Sequence, residues 1–87
     1  MTGIESRVVL LEAPERIIAD GAPYAIRVCG RPADDASWIG WIEFSSQNGR
    51  ATRRTDRETT QPNRDALLYW ASGLEPIYFE GAFSRAR

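Results

Sequence analysis

The sequence predicts an α+β domain: an antiparallel sheet of three to five strands followed by one or two C-terminal helices packed on one face. Three observations predict it. Extended segments with a two-residue apolar period fill the first half of the chain. The turn dipeptides Asp20-Gly21 and Asn48-Gly49 separate them. Apolar residues recur at three-to-four spacing only after Pro62. Strands first and helices last is the order of a sheet carrying its helical layer on one side.

Residues 1 to 6 are small and polar and are expected to form a disordered N-terminus, leaving residues 7 to 87 as a single domain. Arg7 to Glu12 is β-branched and aliphatic and reads as a short strand ended by Pro14, with Ile17-Ile18 as a second apolar step. Asp20-Gly21 can supply positive φ for a hairpin. Beyond it Tyr24, Ile26 and Val28 alternate with Ala25, Arg27 and Cys29, which puts the larger apolar groups on one face.

The segment from Trp38 to Phe44 places Trp38, Ile42 and Phe44 on one side and Ile39 and Trp41 on the other. A strand that is apolar on both sides belongs in the middle of a sheet with something covering each face. Gly40 implies a bulge or the close approach of another element. A two-residue loop at Asn48-Gly49 would set Gln47 opposite Arg50, Phe44 opposite Arg53, Glu43 opposite Arg54 and Ile42 opposite Thr55. The returning strand, Arg50 to about Glu58, has no large apolar residue, as suits an edge.

A helix is predicted from about Gln61 to Ser72, with Pro62 in its first turn, Thr60 or Asn63 as cap and Gly73 as a left-handed stop. It should pack on the face of Tyr24, Ile26, Val28, Ile42 and Phe44. Pro76 to about Ala86 reads as a second helix with Ile77, Gly81 and Ala82 inward, or as a final strand from Pro76 to Phe79.

Composition removes several function classes. All eleven cations are Arg, and they face twelve acidic residues for a net charge of -1, which disfavours a general coat for nucleic acid or anionic membrane. With no His and only Cys29, zinc sites built on those ligands and imidazole-based triads are excluded. Asp34-Asp35 lacks the pattern of a calcium loop, so neither metal nor cofactor is implied. Glu43 is expected to be engaged by Arg54, and no catalytic residue is assigned. The first residues hold Glu5, and Val8 to Leu11 is too short for a signal-peptide core, so a cytoplasmic chain without a membrane partner is expected.

Two candidate surfaces follow. Ile39 and Trp41 lie on the sheet face away from the main helix, where the C-terminal segment or another chain must cover them; a homodimer or protein partner is the implied occupant. Arg53, Arg57, Thr59, Thr60, Asn63 and Arg64 gather cations and hydroxyls about a helix start, which favours an anion. The competing reading of the same residues is a plain helix cap. The expected function is a non-enzymatic interaction domain, protein-binding or dimerising, with nucleic-acid or phosphoanion binding along residues 50 to 64 as the alternative.

The phrases Trp38-Ile-Gly-Trp-Ile-Glu-Phe44, Arg57-Glu-Thr-Thr-Gln-Pro-Asn-Arg64 and Tyr69-Trp-Ala-Ser-Gly-Leu-Glu-Pro76 resemble those of small bacterial proteins with no assigned activity. The resemblance spans residues 24 to 86 and implies no functional residue. The order of three strands and a helix is also similar to antitoxin domains of the HicB type, an analogy of fold alone.

Overall fold

The computed structural model describes residues 7–87; the expectation for residues 1–6 lies outside them. Five strands precede two helices: β1 Val8–Ala19, β2 Ala22–Pro32, β3 Trp38–Ser46, β4 Thr52–Arg54, β5 Thr59–Gln61, α1 Arg64–Ser72 and α2 Pro76–Arg85. The sheet runs β1-β2-β3-β4, with β5 also paired to β3, and every pairing is antiparallel. This is the α+β architecture that the pattern of the sequence implies. No helix among the described residues is long and apolar enough to cross a membrane.

Pro14 does not end the first strand. β1 continues to Ala19, with register shifts between Val9 and Leu11 and between Glu12 and Arg16. The missing N–H of Pro14 falls within the second irregularity of a strand that has one neighbour, where no ladder bond is lost. Asp20 and Gly21 then both take positive φ, 54° and 76°, the geometry of a tight type I′ hairpin.

The second hairpin keeps the expected register through a different loop. Only Gly49 has positive φ, at 73°. Its N–H donates to the Ser46 carbonyl at 2.9 Å, and the Ser46 N–H donates to the Ala51 carbonyl at 2.8 Å, so residues 47 to 50 form the loop and Gln47 does not pair with Arg50. Asn48 Oδ1 accepts from the Arg50 N–H and from Ser46 Oγ, stabilising the turn with its side chain instead of its own φ. Glu43 still faces Arg54 and Phe44 faces Arg53. Thr55 bonds Ile42 twice, its N–H donating to the carbonyl and its Oγ1 accepting from the N–H.

The returning segment is two short strands, not one. Between them Glu58 donates its N–H to the Gly40 carbonyl, and β5 pairs with the beginning of β3. β5 takes residues that the sequence assigns to the start of the helix. Pro62 explains the shift, because the residue before a proline is held extended, and that residue is Gln61. The helix starts at Arg64 with Asn63 as cap, whose Oδ1 accepts from the Ala66 N–H at 2.8 Å. Gly73 has φ of −94°, so the helix ends without a left-handed residue; the Gly73 and Leu74 N–H groups turn back to the Trp70 and Ala71 carbonyls.

Pro76–Arg85 is a helix, not a strand, and Pro76 opens it. Phe79 and Ala82 face inward, whereas Ile77 is 75% exposed, contrary to its expected inward position. The inward row is Phe79, Ala82, Phe83 and Ala86, and Ile77 lies two residues off it.

The main core joins Tyr24, Ile26, Val28, Ile42 and Phe44 to Ala71, Phe79 and Ala82, so both helices cover the same sheet face. Leu67 of α1, with no exposed surface, rests on the directly paired Gly30 and Gly40. A Cβ at Gly40 would come 2.7 Å from Leu67 Cδ1, and one at Gly30 would meet Leu67 Cδ2 at 2.5 Å and the Ile39 carbonyl at 2.9 Å. Gly40 therefore marks the close approach of the helix and no bulge.

Candidate functional site

The helix-free face is built from the other set of strand residues. Register places Val9, Cys29 and Trp41 side by side across β1, β2 and β3. The next rank holds Glu12, Arg27, Glu43 and Arg54, and Arg31 stands opposite Ile39 at one end. Arg16, facing Ala25, lies toward the other end.

Trp41 is only 2% exposed within the single chain. The burial that the structure shows comes from the chain itself. The Arg54 guanidinium lies 4.6 Å from its ring centre, and its Nε1–H donates to Glu43 Oε2 at 2.9 Å. Glu43 accepts both arms of Arg7, from Nε at 2.9 Å and from Nη2 at 2.7 Å. That fork-to-fork pair is the strong form of a guanidinium–carboxylate contact. Arg7, and not Arg54, is thus the hydrogen-bonded partner of Glu43. Arg54 instead pairs its backbone with Arg87 at 3.0 Å in both directions.

The electrostatics of this network leave no reactive group. Burial pushes the Glu43 carboxyl up, but bonds from Arg7 and Trp41 and the charges of Arg7 and Arg54 outweigh it and hold the group below the usual carboxylate range. Arg7 is stabilised in its charged form by the same bonds. The Cys29 thiol, buried and beside Glu43, is pushed up to about 11 and is protonated at neutral pH. A carboxylate with both oxygens occupied and a protonated buried thiol supply neither general base nor nucleophile. Among the described residues no three Cys, Asp or Glu side chains converge on one cation position.

What remains on the surface is guanidinium. Among the described residues, Arg16, Arg27, Arg31 and Arg54 stand on this face by strand register together with Glu12 and Glu43, and Arg7 joins them through its bonds to Glu43. Both glutamates are bound, Glu43 by Arg7 and Glu12 by Arg27 at 3.1 Å. Among the described residues Arg16 and Arg31 bond only neighbouring backbone carbonyls. A depression of about 390 Å³ opens between Arg16, Arg27, Ser45 and Gln47 over Pro23 and Ala25, and Arg27 also donates to Ser45 Oγ at 3.1 Å.

No family model, curated protein or solved structure matches the chain.

The predicted anion-binding residues are not gathered into one cluster. Arg53 turns to the helix side, 4.7 Å from the Phe83 ring centre and 5.6 Å from that of Tyr24, with Asp20 at 3.6 Å. Thr59 pairs with Gly40, four residues along β3 from the Arg53 partner Phe44, a separation of about 13 Å at strand rise. Thr59 Oγ1 accepts from the Gln61 amide, and Asn63 is the helix cap. Thr60 stands opposite Ile39 on the helix-free side. Arg57 and Arg64 are exposed and form no ion pair with the described residues. Of the interface candidates, Ile39 is half-buried beside Arg31 and Trp41 lies beneath Arg54. Arg7, Arg16, Arg27 and Arg31 are the residues that sequence reasoning missed. The two-residue period carried the signal: Arg27 and Arg31 share the parity of Cys29.

Proposed function

We propose that the protein is a small non-enzymatic binding module that takes an acidic segment of a partner protein on the helix-free face of its sheet. The observation that carries this reading is that Arg16 and Arg31 have no acidic partner among the described residues, while Glu12 and Glu43 on the same face are already paired. Planar guanidiniums fixed on strands suit carboxylates, which they hold in the bidentate manner that Arg7 already shows with Glu43. Ile39 supplies an apolar contact at the rim, and the notch between Arg16, Arg27, Ser45 and Gln47 offers a place for one acidic side chain. An acidic protein segment is favoured over nucleic acid because the indole of this face is buried, so bases find no ring to stack on.

The test uses a fluorescent glutamate-rich peptide and a single-stranded oligonucleotide of equal charge. The peptide is expected to bind, to weaken as salt screens the contact, and to be lost in the double variant Arg16→Glu, Arg31→Glu. Peptide binding that is absent, or indifferent to this charge reversal, rejects the proposal. Tighter binding of the oligonucleotide to the same face would transfer the surface to nucleic acid.

A further inference from the structure

The outer surface of the helical layer is the counterpart of the helix-free face. Along α1 the buried Leu67 and Ala71 point to the sheet, and Asp65, Tyr69 and Ser72 recur at three-to-four spacing on the side away from it. Along α2, Phe79 and Ala82 point inward, and Ile77, Glu80 and Ser84 form the outer row. Tyr69 is 83% exposed and Ile77 75%, so each helix carries a bare apolar side chain on its outermost ridge. The unpaired charge of this layer is mainly negative. Asp65, Glu75 and Glu80 are exposed and form no ion pair with the described residues, against Arg64 alone among the cations of the two helices, because Arg85 is bound to Glu58.

The helix-free face has the opposite sign and the same apolar dressing. Arg16 and Arg31 lack an acidic partner among the described residues. Val9 and Ile18 stand on that side by their register with Cys29 and Pro23. The large apolar side chains left exposed among the described residues are therefore divided between the two surfaces: Val9 and Ile18 beside unpaired guanidiniums, Leu68, Tyr69 and Ile77 beside unpaired carboxylates. The two surfaces lie on opposite sides of the sheet, so one chain cannot bring them together. Two copies can, and in one sense only. Like surfaces face to face would oppose guanidinium to guanidinium or carboxylate to carboxylate, whereas unlike surfaces pair opposite charges.

We propose that the helical surface of one copy docks head to tail on the helix-free face of the next, setting Asp65, Glu75 and Glu80 against Arg16 and Arg31, with Tyr69 and Ile77 as the apolar anchors. An exposed tyrosine suits this place twice, as contact area and as a ring on which a guanidinium can lie. The contact is heterologous, so its repetition builds a ring or an open row of copies. The inference rests on the reading of the helix-free face as a site for acidic protein, and it names that protein as a second copy of this chain.

Sedimentation velocity over a concentration series tests it. The native chain is expected to shift to faster-sedimenting species as concentration rises, with an association constant that falls more than about ten-fold between about 0.05 and 0.5 M salt. Two reversals of exposed charges, Arg16→Glu with Arg31→Glu and Glu75→Arg with Glu80→Arg, should each leave a monomer. Their equimolar mixture should associate as the native chain does, because each variant offers the charge that the other now needs. Tyr69→Ser with Ile77→Ser leaves every charge in place and should weaken association about ten-fold. The glutamate-rich peptide, added as competitor, should dissociate the assembly. A chain that binds this peptide yet stays monomeric overturns the self-contact and leaves the helix-free face to another acidic protein; one that neither binds the peptide nor associates overturns both readings. Association of either reversed variant alone, a mixture that stays monomeric, or an assembly indifferent to the peptide or to the loss of Tyr69 and Ile77 also overturns the self-contact.

Discussion

The two faces of β3 bury their residues by opposite means. On one side Ile42 and Phe44 lie under two helices, with Leu67 pressed onto the Gly30–Gly40 pair. On the other, Trp41 reaches comparable burial with the Arg54 guanidinium over its ring and its N–H bound to Glu43, which Arg7 holds in turn. A small domain that has spent its helices on one face can still keep water from the second by laying guanidinium stems and planes over it. The consequence differs: the helix side is closed by apolar packing, and the other side is closed by groups that still carry charge outward.

Substitutions should separate the two mechanisms, and the largest effect is expected on the apolar side. Leu67→Ala should cost about 2–5 kcal/mol in chemical denaturation, since it removes a fully buried side chain and leaves a cavity over the glycine pair. Gly30→Ala should cost about 1–3 kcal/mol, and more than Gly40→Ala, because its new methyl meets the Ile39 backbone as well as the flexible end of Leu67.

On the polar side the expected effect is smaller and depends on pH. Glu43→Gln should cost about 1–3 kcal/mol at neutral pH by leaving Arg7 and the Trp41 N–H with a weaker acceptor. The sign with pH is fixed by the depressed carboxyl: its stabilisation is complete above the unfolded value and is lost as pH falls through the folded one. Urea melts in acid should therefore show a loss of stability in the native chain that Glu43→Gln lacks.

Cys29 gives the alkaline counterpart. Its folded value of about 11 lies above the ordinary 9.0, so the folded state holds the proton more tightly. Stability should be unaffected below about pH 9 and decline from there toward 11, and the decline should be shallower in Cys29→Ala. The smallest effect on stability is expected for Arg31→Glu, within about 0.5 kcal/mol, as for an exposed side chain with no acidic partner among the described residues. If Arg31→Glu unfolds the protein, the guanidinium is structural and the distinction between the two faces fails there.

The apolar half of this comparison was legible in the sequence and the polar half was not. Alternation in β2 and β3 names the strand side of the helix-covered core, Tyr24, Ile26, Val28, Ile42 and Phe44, whereas the spacing after Pro62 locates the helices without fixing their inward row, since Ile77 is exposed and Phe79 buried. Asn48-Gly49 gives the correct register beyond its loop even though Asn48 acts through its side chain. Pro14 misled because a proline ends a central strand but is tolerated on an edge, and edge status depends on pairing that no local pattern reports. β5 was hidden for a related reason: three polar residues next to a proline have no strand signature until β3 pairs with them. The network beside Trp41 joins Arg7 to Glu43 across thirty-six positions, a contact that composition allows and spacing cannot announce.

The central claim is that a lone chain seals Trp41 with its own Arg54 and Glu43. Hydrogen exchange of the Trp41 indole N–H, read by NMR on protein that sedimentation shows to be monomeric, tests it most directly. The expected result is a protected indole proton in the native chain, with protection reduced in Glu43→Gln. A Trp41 proton that exchanges as freely as an exposed indole, or is protected only when the protein self-associates, would contradict it.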